Sequence, residues 1–303
     1  MPPARHLGRF GIWPHTPGDF QFLFDYLVTN PDTVHARDVA MARDCYDDCI
    51  AFLDAQLGRL LADLQDQGLL ENTLVIITSD HGEAFGDHGN FGHGGSLYLD
   101  EIGVPLVILS PGAPAGRVVT DPVSLRDVPA TVVDQLGLAD GSPFPGRSLA
   151  AYWWLPPGAS PPEVTPALSE EASAAAFKPD HERGPGGGFK LSLVALGRHY
   201  MRDGAGSEHL YDLFTDGIER INLANSAGGS QVVGVYRKML LDALTDNPGS
   251  IEVENAYLRA YRQRLKSLVD ESSQPSGPMT AHRERRNGKL EESSLIPTPS
   301  SRP

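Results

Sequence analysis

The sequence predicts an α/β fold, in which a mixed sheet is flanked by helices and followed by a small antiparallel sheet with a helix. A long helical pattern precedes two apolar runs rich in β-branched residues, at residues 74–77 and 104–109. These runs are too short for free-standing helices and are typical of buried strands. Short segments separated by glycine-containing turns follow at residues 190–213 and indicate an antiparallel sheet.

The first predicted element is a helix at residues 33–67. Asp32 and Thr33 are suited to cap its start, and Gly68 is suited to end it. Apolar side chains recur at three- and four-residue spacing and form one stripe, which we expect to pack against the sheet. The stripe consists of Tyr46, Cys49, Ile50, Leu53, Leu57, Leu60, Leu61 and Leu64. Acidic residues on the opposite face are expected to be solvated.

The predicted strand at residues 74–77 is followed directly by Asp80 and His81. Ligands of α/β sheets bind at this end of a strand. A turn at Gly82 allows the carboxylate and the imidazole to reach one divalent cation. Carboxylate oxygens suit Ca²⁺, Mg²⁺ or Mn²⁺, and imidazole shifts the preference toward Mn²⁺ or Zn²⁺. The glycine-rich loop that follows carries three further groups able to contact a metal or a phosphate: Asp87, His88 and His93.

Residues 79–112, SDHGEAFGDHGNFGHGGSLYLDEIGVPLVILSPG, resemble the conserved block of the sulfatase family within the alkaline phosphatase superfamily. The resemblance implies an alkaline-phosphatase-like mixed sheet and a hydrolase of sulfate esters. It implies Asp80 and His81 as ligands of one divalent metal, with Ca²⁺ first and Mg²⁺ or Mn²⁺ as alternatives. It also implies His93 as the catalytic group that binds the anion or supplies a proton.

The substrate implied by the resemblance is a small-molecule or carbohydrate sulfate ester. His15 lies in Trp-Pro-His-Thr-Pro at residues 13–17, which is similar to a His-x-Pro segment that lines the site of many sulfatases. His88 and His15 are therefore the predicted substrate-binding residues.

Part of the family's pattern is not found in these 303 residues. Sulfatases carry an N-terminal strand with paired aspartates and a Cys/Ser-x-Pro-x-Arg motif that supplies the formylglycine nucleophile. Neither Cys45 nor Cys49 lies in such a motif, so no nucleophile is predicted. The chain resembles the C-terminal half to two-thirds of a sulfatase.

Three interpretations stay open. The first is a sulfatase-type metal-dependent hydrolase of sulfate esters, present as an incomplete chain. The second is a phosphate- or phosphonate-ester hydrolase, or a phosphoryl transferase, of the same superfamily. The third is a non-catalytic binding protein that keeps the fold and pairs with an N-terminal fragment or with a second copy, because missing strands leave an unpaired sheet edge.

The chain divides into four predicted parts. Residues 1–154 form the α/β domain, in which Asp127 is expected to cap a helix at 128–136. Residues 155–188, rich in Pro, Gly, Ala and Ser, form a boundary segment. Residues 189–269 form the small C-terminal unit with helices at 231–244 and 251–269, and residues 270–303 a disordered tail.

Composition limits the partners. The formal net charge of −14 argues against nucleic acid or an anionic membrane as the main partner. An anionic substrate must therefore be attracted by local cations. Two cysteines cannot form a disulfide framework. No apolar run approaches ~18 residues and no signal sequence is visible, so the chain as written is expected to be cytoplasmic, or periplasmic or secreted if a signal precedes it.

Overall fold

The structure, a computed structural model, describes residues 8–11, 33–154, 164–172, 189–203 and 206–245. Helices and two pairs of strands come first, and a four-stranded antiparallel sheet with a helix follows. Among the described helices, none is long and apolar enough to cross a membrane. Three predicted features lie outside the described residues: His15, the helix at 251–269 and the disordered tail at 270–303.

Helix α1 spans Ala36–Asp66. The predicted cap at Thr33 is wrong, because His35 takes the cap position and its side chain makes no capping hydrogen bond. The predicted end is confirmed. Gly68 has a φ of +69°, its N–H donates to Gln65, and the next N–H, of Leu69, donates to Leu64. This pair of bonds is a Schellman motif, which satisfies the last carbonyl groups of the helix.

The buried face of α1 differs from the predicted apolar stripe. The buried residues are small or polar and recur every three positions: Ala42, Cys45, Asp48 and Ala51. Ile50, Leu53 and Leu60 of the predicted stripe are exposed. The helix therefore presents an apolar face that the described residues cover only in part.

Asp48 is fully buried, which contradicts the expectation that the acidic residues of this helix are solvated. Its carboxylate accepts hydrogen bonds from the backbone N–H groups of Gly8, Arg9 and Phe10, at 2.8, 3.1 and 3.3 Å. These three bonds replace the water that the charge loses on burial. Asp48 thus fixes residues 8–10 against the helix.

Strand β1, Val75–Thr78, pairs antiparallel with a later strand, Leu106–Leu109, so that Val75 lies opposite Leu109. Both predicted strands are confirmed, and each begins one or two residues later than the sequence suggested. Val107 and Leu109 of the later strand are exposed. Within the described part of the chain, neither strand pairs with a further strand.

The segment between these strands forms a short hairpin and a single helical turn. Strands β2, Ala84–Phe85, and β3, Phe91–Gly92, pair around a 3-10 turn, Asp87–Gly89. Helix α2, Leu99–Ile102, then leads into β4, which is the strand Leu106–Leu109 named above. Further 3-10 turns occur at Leu70–Asn72 and Leu149–Tyr152.

Helix α3 spans Asp127–Gln135, and Arg126 takes the cap position. Asp127 therefore lies in the first turn and is not the cap residue that the sequence predicted. Its carboxylate accepts from the N–H groups of Ser124, at 3.2 Å, and Arg147, at 3.0 Å. The buried carboxylate joins the loops on either side of the helix.

The C-terminal sheet contains four antiparallel strands in chain order: β5 Ala167–Ala172, β6 Phe189–Ala195, β7 Arg198–Asp203 and β8 Glu208–Asp212. Helix α4, Gly229–Thr245, packs on it through a core that includes Leu193, Tyr200, Leu210 and Leu240. Strand β5 lies in the stretch expected to be a boundary segment, so this sheet begins earlier in the chain than residue 189.

Candidate functional site

The candidate site begins where β1 ends. The Asp80 side chain is 85% exposed, and its Oδ1 accepts from the N–H of His81 at 3.0 Å and from the hydroxyl of Ser79 at 3.4 Å. Backbone hydrogen bonds, and then the charge of His81, hold the pKa of Asp80 below its ordinary value. Asp80 is therefore a carboxylate at neutral pH, in the form that binds a cation.

Gly82 brings this turn against helix α2. Its N–H donates to the carbonyl of Glu101 at 2.7 Å, and a Cβ at this position would lie 2.0 Å from the carbonyl oxygen of Asp100. No residue with a side chain fits there without a shift of the backbone. The glycine of the Asp-His-Gly motif thus permits the close approach that sets the direction of the preceding two side chains.

His81, Glu83 and His93 come together beyond this turn. Each offers one ligand atom, and these atoms lie within 4.8 Å of one another. The rings of His81 and His93 stack with centroids 3.9 Å apart, and His93 Nδ1 lies 3.1 Å from Glu83 Oε2. Asp80 is adjacent, since its Oδ2 lies 3.6 Å from His81 Nε2.

The exposure of these side chains leaves the cluster accessible. The side chains of His81 and His93 are 41% and 49% exposed, whereas that of Glu83 is 19% exposed. His81 Nδ1 lies 2.8 Å from the carbonyl of Gly82, which can only accept, so Nδ1 donates this hydrogen bond and Nε2 is the nitrogen that faces away from it. The contact between His93 Nδ1 and Glu83 fixes the second ring in the same way.

This donor set fits a divalent cation. It combines carboxylate oxygens, from Asp80 and Glu83, with imidazole rings that each already have one nitrogen hydrogen-bonded. The sequence alone did not predict Glu83 as a site residue. Its position directly after the Asp-His-Gly motif was the signal available, but only its contact with His93, ten residues later, reveals it.

Glu101 holds the loop that carries His93. The side chain is buried, and its Oε2 accepts from the N–H groups of Gly94, Gly95 and Ser96, at 2.7, 3.3 and 3.4 Å. Its Oε1 accepts from the Ser96 hydroxyl at 2.5 Å. Because the carbonyl of the same residue receives the Gly82 N–H, Glu101 joins the two segments that supply the cluster.

The other two loop groups named by the sequence lie elsewhere. His88 stacks on the ring of Tyr98, with centroids 3.5 Å apart and planes 6° apart, and is not part of the cluster of His81, Glu83 and His93. Asp87 forms a salt bridge with Arg43 at 3.0 Å and accepts from the N–H of Phe85. The assignment of His88 to substrate binding stays a prediction.

Neither cysteine has the character of a reactive nucleophile within a site. Burial, and then the neighbouring Asp48 carboxylate, raise the pKa of the Cys45 thiol to about 12. The thiol therefore stays protonated at neutral pH and is a poor nucleophile. Cys49 is exposed on the same helix.

A cavity of about 1030 Å³ borders the site. Asp80 and His81 line it together with mostly apolar residues, among them Leu109, Val118 and Trp153. A cavity of this size accommodates an organic molecule as large as a disaccharide or a drug. Asp80 and His81 thus border space for a largely apolar group.

Comparison with known proteins gives consistent matches. The protein-family model described as Sulfatase matches residues 14–138. The arylsulfatase of Clostridium perfringens is 26% identical over 235 residues, which cover 75% of this chain and 45% of that protein. Arylsulfatase K of Danio rerio is 37% identical over 113 residues, which cover 37% of this chain and 21% of that protein. The crystal structure of a phosphonate monoester hydrolase of Agrobacterium radiobacter aligns with a TM-score of 0.59 and 27% identity, covering 75% of this chain and 48% of that one.

The chain spans less than half the length of each of these three relatives. The structural match confirms the predicted alkaline-phosphatase-like α/β fold with a small antiparallel sheet. The family match covers the Asp-His-Gly strand end and the loop with His93. These matches support the assignment of the chain to the sulfatase family.

Proposed function

We propose that this chain supplies the metal-binding and proton-transferring part of a sulfate ester hydrolase. The observation that carries the proposal is the accessible cluster of His81, Glu83 and His93 beside the Asp80 carboxylate. The relatives named arylsulfatase support sulfate esters as the substrate class. The apolar cavity next to the cluster has room for the organic part of a small-molecule or carbohydrate ester.

Asp80 and His81 would hold one divalent cation, with Glu83 and His93 at the edge of its coordination shell. Such a cation would supply a Lewis acid that polarises the ester oxygens and offsets their charge. Ca²⁺, Mg²⁺ and Mn²⁺ all accept carboxylate ligands, but imidazole nitrogens favour Mn²⁺ or Zn²⁺ over Ca²⁺. We therefore rank Mn²⁺ and Zn²⁺ above Ca²⁺ on the donor set alone.

His93 is the proposed proton donor or anion-binding group. Its Nδ1 is held by Glu83 at 3.1 Å, so Nε2 is the nitrogen that remains for the ester. In the protonated state, Nε2 donates a hydrogen bond to an anionic oxygen or a proton to the departing alcohol. A local positive charge is needed here because the chain carries a net charge of −14, which repels an anionic ester at long range.

The proposal assigns no nucleophile. The 303 residues contain no Cys/Ser-x-Pro-x-Arg motif, and the Cys45 thiol stays protonated at neutral pH. The residues of this chain therefore bind, orient and protonate, and the attacking group is not among those described.

Titration calorimetry with Mn²⁺, Zn²⁺ and Ca²⁺ tests the cation site. We expect one site per chain, and we expect Glu83→Gln to weaken affinity roughly 10–100-fold, as is usual when the partner of a ligating histidine is lost. His81→Ala should weaken it at least as much, because His81 is one of the two proposed ligands. His209→Ala is the matched control, because this histidine lies on β8 beside Tyr211 and outside the cluster. No binding to the unaltered chain, or an equal effect of all three variants, would refute the site.

A phosphonate or phosphate ester is the alternative substrate. The observation that favours it is the 27% identity to the phosphonate monoester hydrolase. Calorimetric titration with nitrophenyl sulfate and with a nitrophenyl phosphonate monoester, each in the presence of the metal that binds, separates the two without requiring a nucleophile. Tighter binding of the phosphonate would replace sulfate as the substrate class.

A binding role is the third candidate. Val107 and Leu109 are exposed on β4, and the described β1–β4 pair has no neighbouring strand on either side. Such an edge can accept a strand from another polypeptide. Cation binding without affinity for either ester would favour this role.

A further inference from the structure

A buried row of polar side chains runs through the C-terminal sheet. Ser192 on β6, His199 on β7 and Glu219 after β8 are 0%, 0% and 2% exposed. Ser192 Oγ lies 2.5 Å from His199 Nε2, and His199 Nδ1 is hydrogen-bonded to Glu219 Oε1. The order serine, histidine, carboxylate is that of a hydrolytic triad. No substrate can reach a hydroxyl buried to this degree, so the row must serve another purpose.

Glu219 extends the row to the candidate site. Its Oε2 accepts from the N–H of Leu99 at 2.8 Å, across 120 residues of sequence. Leu99 is the first residue of helix α2, and the first N–H groups of a helix have no partner inside the helix. A carboxylate from the C-terminal unit thus caps α2 from outside.

Helix α2 is the element that organises the site loops. It carries Glu101, whose carbonyl binds the Gly82 N–H and whose carboxylate binds the N–H groups of residues 94–96. His81 immediately precedes the first of these segments and His93 immediately precedes the second. A displacement of α2 would therefore move both histidines.

The backbone of Glu219 indicates that its position is constrained. Its φ is +57°, in the left-handed region that a residue with a Cβ seldom adopts. Such a conformation persists where surrounding contacts fix it, often in the service of function. Its N–H donates to the carbonyl of Asp216 at 3.1 Å, and the Asp216 carboxylate accepts from Ile221 at 2.7 Å, so the turn around it is fixed as well.

Two other contacts join the C-terminal sheet to the same loop. The ammonium of Lys190 donates to the carbonyl of Gly95 and forms a salt bridge with Glu171 at 3.0 Å. Leu97 is buried against Met201 and Tyr211. The loop that carries His93 is thus held by Glu101 on one side and by the C-terminal sheet on the other.

We propose that Glu219 is a positioning residue for the candidate site, which fixes helix α2 and through it the segments that carry His81 and His93. The site then requires the C-terminal sheet for its geometry, although that sheet contributes none of the clustered ligands. The positioning of α2 by Glu219 does not depend on the proposed function. Only the expected effect on cation binding rests on it.

Hydrogen exchange of the full chain tests the positioning step without any cation. In Glu219→Ala, the amides of Gly82 and Gly94 should exchange about tenfold faster or more, because α2 loses its cap and Glu101 moves with it. Glu219→Gln should restore part of the protection, since the amide oxygen can accept from Leu99. Ser192→Ala is the matched control, because it removes the far end of the row and leaves both bonds of Glu219 in place.

The cation titration described above then measures the consequence. Glu219→Ala should weaken Mn²⁺ or Zn²⁺ binding about tenfold or more, whereas Ser192→Ala should bind as the unaltered chain does even if it melts at a lower temperature. Unchanged exchange at Gly82 and Gly94 in Glu219→Ala, together with a lower melting temperature, would overturn the inference and leave Glu219 as a merely stabilising residue. Faster exchange in a chain that binds no cation would support positioning and refute the proposed cation site.

A second pair of variants decides the matter if Glu219→Ala does not fold. Leu99→Pro removes the N–H that donates a hydrogen bond to Glu219. Proline suits the helix at this first-turn position. The preceding residue, Tyr98, has an extended backbone with ψ of 158°, which proline also favours. Leu99→Ala shortens the same side chain but keeps the N–H. Faster exchange at Gly82 and Gly94 in the proline variant alone supports the inference, and equal exchange in both overturns it.

Discussion

Within the described part of the chain, the carboxylate oxygens of Asp100 are buried without hydrogen bonds that would stabilise their charge. Both of its oxygens are shielded from solvent, and neither has a hydrogen-bond partner among the described residues. Burial raises the pKa of Asp100 from 3.8 to about 6; His88 opposes the rise, and the carboxylates of Glu101 and Asp87 add to it. The ionised form is thus disfavoured in the folded chain, and replacing Asp100 by asparagine should stabilise the protein at neutral pH.

Because the pKa of Asp100 is raised on folding, the free energy of unfolding depends on pH. Between pH of about 4 and 6, the folded chain holds a proton on Asp100 that the unfolded chain has released. The free energy of unfolding of the unaltered protein therefore falls as pH rises through this window and, for this group, is constant above it. The D100N variant lacks this decline.

The magnitude follows from the same values. Each tenfold change in proton affinity is worth about 1.4 kcal/mol, so a rise from 3.8 to about 6 corresponds to at most about 3 kcal/mol. Asp100 as a whole is only partly buried, so solvent screening reduces this gain to about 1–2 kcal/mol. We expect D100N to exceed the unaltered chain by that amount above pH 6.5, and by almost nothing near pH 4.

Urea unfolding followed by circular dichroism at pH 4.5 and 7.5 measures the difference. Asp140→Asn is the control, because the side chain at Asp140 is exposed and the substitution should leave stability unchanged at both values. A D100N variant that is less stable than the unaltered chain at pH 7.5 would refute the reasoning. A gain of equal size at both pH values would show that ionisation is not its cause.

Three further predictions concern Glu101, the exposed side chains of β4 and the two cysteines of α1. Glu101→Gln should lower the free energy of unfolding by about 2–4 kcal/mol in urea titrations, because a buried carboxylate with four donors becomes an amide; an unchanged midpoint would contradict this. The paired change of Val107 and Leu109 to lysine should reduce self-association in analytical ultracentrifugation and binding of a hydrophobic dye, since both are exposed on β4, a strand with one unpaired edge among the described residues; equal association by the unaltered chain and the variant would count against self-association through this edge. In native buffer at pH 8, Cys49 should react with a thiol reagent and Cys45 only after unfolding, because Cys45 is buried with a pKa of about 12; two thiols that titrate together would show that α1 is not packed as described.

Local sequence patterns were sufficient for several elements. The apolar run before Asp80 predicted a strand, and the glycine at position 68 predicted the end of α1. Both signals depend on neighbours only a few residues apart, since strand propensity and helix termination are set by short-range sterics and hydrogen bonding. The Asp-His-Gly motif likewise placed two site residues at a strand end without knowledge of the rest of the chain.

Patterns of spacing were less informative about burial. The apolar stripe of α1 was clear from the sequence, but the structure leaves Leu53 exposed and buries Asp48 instead. Periodicity shows that a helix has an apolar face, but it cannot show which element covers that face. The burial of Asp48 depends on three N–H groups nearly forty residues earlier, which no local pattern records.

The sequence by itself therefore determined the α/β class, the strand end with Asp80 and His81, and the resemblance to sulfatases. Only the tertiary structure decided that Glu83 joins His93, and that Glu219 reaches helix α2 across 120 residues. The physical reason is that periodicity and capping act over a few residues, whereas a binding site is assembled from hydrogen bonds between segments brought together by packing.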